Sequence, residues 1–303
     1  MNEEILINFS PMETRVAVIE NGMLQEVHVE RNDHRGIVGN IYLGKVVRVL
    51  PGMQAAFIEI GLERAGFIHV ADIEPKNGQP DSDDIAQLVR EGQSLLVQVL
   101  KDPISTKGAR LTTQISIPSR YLVYLPGSDH VGISQRIEDE TEKQRLKDCL
   151  ESYLAHPTEL LKEASEFTKE GVIVRTVAEG VSEQSLQQDV DFLRRLWRQV
   201  SQQIATAKAP QIIYQDLPLA LRTLRDIAHP QIEKIRIDSK ETYQKASEFV
   251  DQLVPEMAAK LEHYPGERPI FDLYNVEDEI QKALGRKVPL KSGGYILLTK
   301  LKR

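Results

Sequence analysis

Between residues 39 and 67 the chain alternates short runs of strand-forming residues with tight turns, a pattern that leaves no room for a long helix. Ile41, Val47 and Val49 are β-formers standing beside the basic Lys45 and Arg48. Pro51-Gly52 predicts a turn, with proline presetting φ and glycine free to take φ above zero. A second strand is expected over residues 55–60, a turn over residues 61–64, and a third strand from Gly66-Phe67-Ile68. Phe57 and Phe67 stand among small or charged neighbours. Aromatics on a small basic β-surface supply what a single-stranded nucleic acid needs, π-faces for bases and cations for phosphates. Two phenylalanines fit the core of a small β-fold equally well, and their spacing leaves both readings open.

The chain has 303 residues, enough for about two domains. Hydrophobic residues at 41% and charged residues at 27% describe a globular protein. No apolar run approaches the ~20 residues of a membrane helix, so no membrane partner is expected. The start, Met-Asn-Glu-Glu, lacks a signal peptide's basic segment. A single cysteine, Cys149, excludes an internal disulfide framework and a multi-cysteine zinc site. A cytoplasmic location is the expectation. The net charge of −7 argues against nucleic acid across the whole surface, but a local basic groove still binds phosphates.

Strands are expected at residues 5–9, 14–20 and 24–29, with Asn21-Gly22 as the hairpin between the last two. Three strands bury little, so this sheet needs a partner from elsewhere in the chain. Residues 36–115 continue β-rich. Within them, residues 73–91 are polar and acidic, with Pro75, Asn77-Gly78, Pro80, Asp81, Asp83 and Asp84, and predict a loop before a short helix at 85–90. A strand at 92–100 and a loop at 102–110, with Lys101, Lys107 and Arg110 near Gly108, complete a closed small barrel of the oligonucleotide-binding type. Beyond it, a strand at 121–125, a turn at Pro126-Gly127, a charged helix at 139–155 and a strand at 171–176 are predicted. Ser182 caps a long helix whose apolar spacing (Leu186, Val190, Leu193, Trp197) indicates core packing. Then follow a helix at 217–227, a strand at 234–237, a helix at 240–253, an extended Ile270-Phe271, a helix at 276–284 and strands from 287 onward.

Several uninterrupted segments carry a resemblance. They are Glu30-Arg31, Arg35-Gly36-Ile37-Val38-Gly39-Asn40-Ile41-Tyr42, Leu50-Pro51-Gly52-Met53-Gln54-Ala55-Ala56-Phe57, Thr106-Lys107-Gly108-Ala109-Arg110-Leu111-Thr112-Thr113, Arg120-Tyr121-Leu122-Val123 and Pro269-Ile270-Phe271-Asp272-Leu273. Together they resemble the ribonuclease E/G family, from residue 1 to about residue 296. The resemblance implies an α+β multidomain fold. An RNase H-like subdomain would be split between residues 1–35 and 210–278. An S1 domain, an OB-type β-barrel, would span 36–115, and an α/β 5′-sensor 116–209. Residues 279–303 would begin a DNase I-like subdomain. It implies single-stranded RNA as partner, cut at A/U-rich sites near a 5′-monophosphate in rRNA 5′-end maturation and mRNA decay.

Residue by residue, the resemblance places Phe57, Phe67 and Lys107 on the S1 positions that contact RNA. Arg175 and Thr176 fall on the pair that holds the 5′-monophosphate, and Val123 on the valine near the terminal base. Ser119 takes a position that is glycine in the ribonuclease E branch; its hydroxyl could bond phosphate, on a less free backbone. Arg175 offers a planar fork of donors that suits a phosphate. Without the resemblance it reads as a surface arginine after a strand.

The family's chemistry rests on two aspartates that bind Mg²⁺ in the DNase I-like subdomain. In this chain Gly293-Gly294-Tyr295 is followed by Ile296-Leu297-Leu298-Thr299-Lys300-Leu301-Lys302-Arg303, not by an Ile-Asp-Gln-Thr-Glu-Ala-like run. The expectation is that no catalytic residue, neither Mg²⁺ ligand and no zinc-link cysteine is present, and that the family's homodimer or tetramer contacts are missing. Residues 298–303 also match what a one-base shift of such a run would encode. Asp238, Asp272, Glu277 and Asp278 are alternative acids for metal-assisted hydrolysis, with local pairing expected for Asp238. The alternatives to the RNA-binding part of an endoribonuclease are a standalone non-catalytic RNA-binding module and a non-functional frameshift fragment.

Overall fold

The computed structural model describes residues 2–74, 83–155, 169–229, 231–253, 255–290 and 292–298. The centre of the acidic loop expected after residue 73 and the tail from residue 299 lie outside the described residues. The chain forms two compact units, residues 1–35 with 217–303 and residues 36–216.

The first unit begins with an antiparallel meander of β1 (Glu3–Phe9), β2 (Glu13–Glu20) and β3 (Met23–Arg31). Asn21 and Gly22 both take positive φ, 50° and 76°, the left-handed geometry that matches strand twist in a two-residue hairpin. Ile5, Leu6 and Ile7 are all buried, so β1 must be covered on both faces.

The second unit opens with a closed five-stranded barrel. β4 (Ile41–Leu50), β5 (Ala55–Glu59), β6 (Gly66–His69), β7 (Ser94–Lys101) and β8 (Arg110–Thr112) run in the order β4-β5-β6-β8-β7, and β7 pairs back onto β4. Alternate residues point inward, and Val46, Ala56, Ile58, Ile68, Val97 and Leu111 make the core. Helix α1 (Ile85–Leu88) is capped by Asp84, whose carboxylate accepts the Ala86 N–H, and adds Ile85 and Leu88 to that core. The turn after β4 differs from the expectation. Pro51–Met53 is a single 3₁₀ turn, so Gly52 keeps ordinary φ and the left-handed residue is Gln54 (φ 48°). The Gln54 side chain in turn accepts the Ile85 N–H at 2.8 Å, tying that turn to α1.

Next comes a four-stranded sheet of β9 (Ile117–Pro118), β10 (Leu122–Pro126), β11 (Val131–Ile133) and β12 (Glu170–Val174), ordered β11-β12-β10-β9. Its inner face packs on α2 (Glu140–Leu154) and α3 (Glu183–Thr206). Asp139 caps α2 and Ser182 caps α3, each accepting first-turn N–H groups. Leu186, Val190, Leu193, Trp197 and Val200 form the buried stripe of α3. Strand β13 (Gln211–Tyr214) then pairs with β4. The expected boundary at residue 210 is thus corrected: the β13–β4 ladder keeps residues 211–214 with the barrel, and the unit ends at Asp216.

The chain then completes the first unit. α4 (Leu219–Asp226) leads to β14 (Ile232–Ile237), which lies parallel beside β1, and α5 (Lys240–Leu253) leads to β15 (Leu261–His263), parallel to β14. The sheet order is β15-β14-β1-β2-β3. This supplies the partner that three strands alone required. Ile5, Ile7 and Val16 pack against Leu224 of α4 and Ala246 and Val250 of α5 on one face. Leu6, Ala17 and Ile19 pack on the other face against α6 (Ile270–Leu273) and Val276 of α7 (Val276–Ala283). Ile270-Phe271, expected to be extended, is the first turn of α6: Pro269 at the N-cap position starts the turn and aims both side chains into the sheet. Last comes a small hairpin of β16 (Lys287–Pro289) and β17 (Tyr295–Leu297).

Candidate nucleic-acid interface

Phe57 and Phe67 sit directly opposite each other on β5 and β6, with ring centroids 6.0 Å apart and planes at 65°. Both are half-buried, and neither belongs to the barrel core, which takes their neighbours Ala56, Ile58 and Ile68. The alternation of the strands therefore puts them on the outer face, which answers the question the sequence left open. Arg48 of β4 pairs in register with Phe57, and Arg110 of β8 with Phe67. Opposed residues share a face, so a row Arg48–Phe57–Phe67–Arg110 crosses four strands. Both arginines are exposed, and Arg110 is held by Asp72 with two nitrogens at 3.0 and 3.1 Å.

Lys107 comes from the loop before β8 and is exposed. A Cβ on the next residue, Gly108, would lie 1.9 Å from the Ala65 carbonyl oxygen, so only glycine lets this loop close on the start of β6. The Phe67 N–H donates to the Ala109 carbonyl at 2.7 Å, and Arg64 donates to the Ser105 carbonyl. The backbone carrying Lys107 is thus fastened to the strand carrying Phe67.

The other predicted residues meet at one end of the four-stranded sheet. Leu122 pairs with Val174, which places the start of β10 beside the end of β12, and Arg175 and Thr176 follow β12 directly. Val123 is on the outer face, in register with Ile173 and Pro118. The Arg175 backbone N–H donates to Tyr121 O at 2.8 Å, and its Nη1 donates to Ser119 O at 2.6 Å. The Thr176 and Ser134 hydroxyls are 3.1 Å apart, tying this end to the end of β11.

Ser119 is placed differently from expectation. Its side chain is fully buried, with Oγ 2.5 Å from Asp189 Oδ2 and 3.0 Å from Leu122 O, and its N–H donates to Leu122 O. The hydroxyl is committed inside the protein, so the reading of it as a phosphate donor is corrected to an internal link. Asp189, which the sequence reading passed over, accepts from Ser119 and from the N–H groups of Tyr121 and Leu122, each at 3.0 Å. Burial pushes its carboxyl up to about 6, against the downward pull of these donors. The available signal was a carboxylate on the apolar stripe of a helix, between Leu186 and Leu193. A second buried group, Arg194 with Glu170 and Tyr124, joins α3 to β12 and β10. Burial, then the Glu170 charge, pushes the Tyr124 hydroxyl up.

Among the described residues, no group of three or more His, Cys, Asp or Glu side chains could hold a metal ion. Asp238 accepts from Asn8 Nδ2 at 2.6 Å and from the Phe9 N–H at 2.9 Å, and Glu277 pairs with Arg15 at 2.8 Å. A cleft of about 560 Å³ between α2 and α3 is lined by Asp148, Cys149, Ser152, Tyr153, Glu183 and Gln187; none of the predicted site residues lines it, and its acids disfavour an anion. No described helix is long and apolar enough to cross a membrane.

Comparison with known proteins assigns families to two stretches of the chain. The family described as "S1 RNA binding domain" matches residues 36–113, the barrel, and the "Ribonuclease E/G family" matches residues 116–301. "Ribonuclease G" of Salmonella typhimurium is 52% identical over 309 residues, covering 98% of this chain and 60% of its own length. "Ribonuclease G" of Escherichia coli K12 is 51% identical over 306 residues with the same coverage. "Ribonuclease E" of a Nostoc species is 34% identical over 286 residues, covering 93% of this chain and 40% of its own length. The chain thus spans about 60% of the length of the ribonuclease G relatives. With a family match over well over half of its residues, the chain belongs to the ribonuclease E/G family.

Proposed function

We propose that this chain is the RNA-binding portion of a ribonuclease G-like endoribonuclease acting on single-stranded, A/U-rich RNA in the cytoplasm. The observation that carries the reading is the outer-face row of Arg48, Phe57, Phe67 and Arg110 on the S1-type barrel. Bases stack on the two phenylalanine rings, and Arg48 with Lys107 attracts the phosphates between them. Stacking accepts any base. The second part of the reading is that Arg175 and Thr176 bind a 5′-terminal monophosphate, with Val123 under the first base. A terminal monophosphate offers three acceptor oxygens to a planar fork of donors. Ser119 leaves this set and supports it from behind.

Fluorescence anisotropy with short A/U-rich RNAs bearing a 5′-monophosphate or a 5′-hydroxyl tests both parts. Phe57→Ala weakens binding of both RNAs by about 1–3 kcal/mol. Arg175→Ala removes the preference for the monophosphate and leaves binding of the hydroxyl form unchanged. Unaltered affinity in Phe57→Ala refutes the barrel assignment, and a surviving preference in Arg175→Ala refutes the sensor assignment.

A further inference from the structure

We infer that Asp189 is a positioning residue for the 5′-phosphate site, fixing from helix α3 the turn of residues 119–122 whose carbonyls hold the Arg175 guanidinium. The inference rests on the proposed role of Arg175. One oxygen, Oδ2, gathers three donors from this turn: Ser119 Oγ at 2.5 Å and the N–H groups of Tyr121 and Leu122 at 3.0 Å each. The opposite side of the same turn faces Arg175. Ser119 O accepts from Nη1 at 2.6 Å, Arg120 O lies 3.4 Å from the same nitrogen, and Tyr121 O accepts the Arg175 N–H at 2.8 Å. The peptide groups of the turn therefore point their N–H ends at the carboxylate and their carbonyl ends at the arginine. Hydrogen bonds in such a chain polarise one another, and a charged acceptor at one end strengthens the carbonyls at the other.

Asp189 is itself held rigidly. It is 3% exposed and stands on the buried stripe of α3, one turn from Leu186 and next to Val190. An apolar side chain would serve helix packing at lower cost than a buried carboxyl. What the carboxyl provides is an anchor for backbone N–H groups that an apolar residue would leave without a partner. The result is a relay from the helix through the turn to the guanidinium, so the fork that meets the phosphate is set by the core and not by its own rotamers.

The test measures the affinity ratio between 5′-monophosphate and 5′-hydroxyl RNA on the full chain. Asp189→Ala should reduce the ratio by about tenfold, the scale of one charge-assisted hydrogen bond, with hydroxyl-RNA affinity unchanged. Asp189→Asn keeps an acceptor oxygen for the turn and should retain more of the ratio than Asp189→Ala. Ser119→Ala, which removes the hydroxyl donor, should fall between wild type and Asp189→Ala. An unchanged ratio in Asp189→Ala, or an equal loss for both RNAs, overturns the positioning role. If Asp189→Ala fails to fold, an unchanged ratio in both Asp189→Asn and Ser119→Ala overturns it. Arg175→Ala is the reference: if it loses the ratio while the Asp189 and Ser119 variants keep it, only this inference falls. If Arg175→Ala keeps the ratio, the sensor reading itself falls.

Discussion

Replacing Asp189 by asparagine isolates one titration in the folding of this chain. The carboxyl lies on the α3 stripe, and burial raises it from its ordinary value of 3.8 to about 6. Between those two values the folded chain holds a proton that the unfolded chain has released. The folded state then binds more protons, so the stability from this group is fully present below 3.8 and is lost as pH rises through about 6. The whole interval corresponds to about 3 kcal/mol, and the part between pH 5 and pH 7 to about 1 kcal/mol. Urea unfolding of wild type and Asp189→Asn at pH 5, 6 and 7 reads this directly, because the other acids cancel in the difference. Wild type should lose on the order of 1 kcal/mol more than the variant on going from pH 5 to pH 7. Parallel curves would refute the reasoning. So would a relative gain by wild type toward pH 7, which would mean that the donors from Ser119, Tyr121 and Leu122 outweigh burial.

Three further outcomes are expected. Removing either partner of the buried Glu170–Arg194 pair should cost about 3–5 kcal/mol, and Glu170→Leu with Arg194→Met should cost far less than the sum; thermal unfolding of the four forms checks this. Gly108→Ala must push the loop off Ala65, so it should lower stability by about 1–3 kcal/mol and weaken RNA binding as Lys107 shifts; a melting curve and the anisotropy assay read the two effects. Leu224→Ala should destabilise the first unit by about 2–5 kcal/mol while leaving monophosphate preference intact, as measured by unfolding and by the affinity ratio.

The parts of the fold that were legible in the sequence are those written in local signals. Asn21-Gly22 demanded left-handed φ and formed the hairpin, and Ser182 with the stripe through Trp197 set out α3. Strand alternation gave the barrel, because β4 to β8 each carry an inward row. The misreadings share a cause. Pro51-Gly52 and Pro269-Ile270 fix φ at one residue only, and whether the chain continues as a 3₁₀ turn, a helical turn or a strand depends on what it packs against. Ile270 and Phe271 turned inward because the face of β1 and β2 bearing Leu6 and Ala17 had to be covered. The outward stance of Phe57 and Phe67 needed the register of β5 against β6. Asp189 and Ser119 were unreadable as a pair because the hydrogen bond between them joins a strand turn to a helix far along the chain.

The ladder that sets Ile5 beside Ile235 has a consequence during synthesis. When β1 leaves the ribosome, it has β2 on one edge and nothing on the other, with Ile5, Leu6 and Ile7 facing no helix. Its neighbour β14, and the helices that cover both faces, arrive only after the entire barrel and the four-stranded sheet have been made. At ordinary translation speeds of about 5–20 residues per second, that delay is roughly 10–50 s. The second unit contains its own partners and is free to fold within that interval. The first three strands must instead wait as an apolar ribbon with an open edge, the kind of surface that recruits other nascent chains. A polysome crowded with such ribbons is where aggregation of this protein would start, and where a holding chaperone would have most to protect.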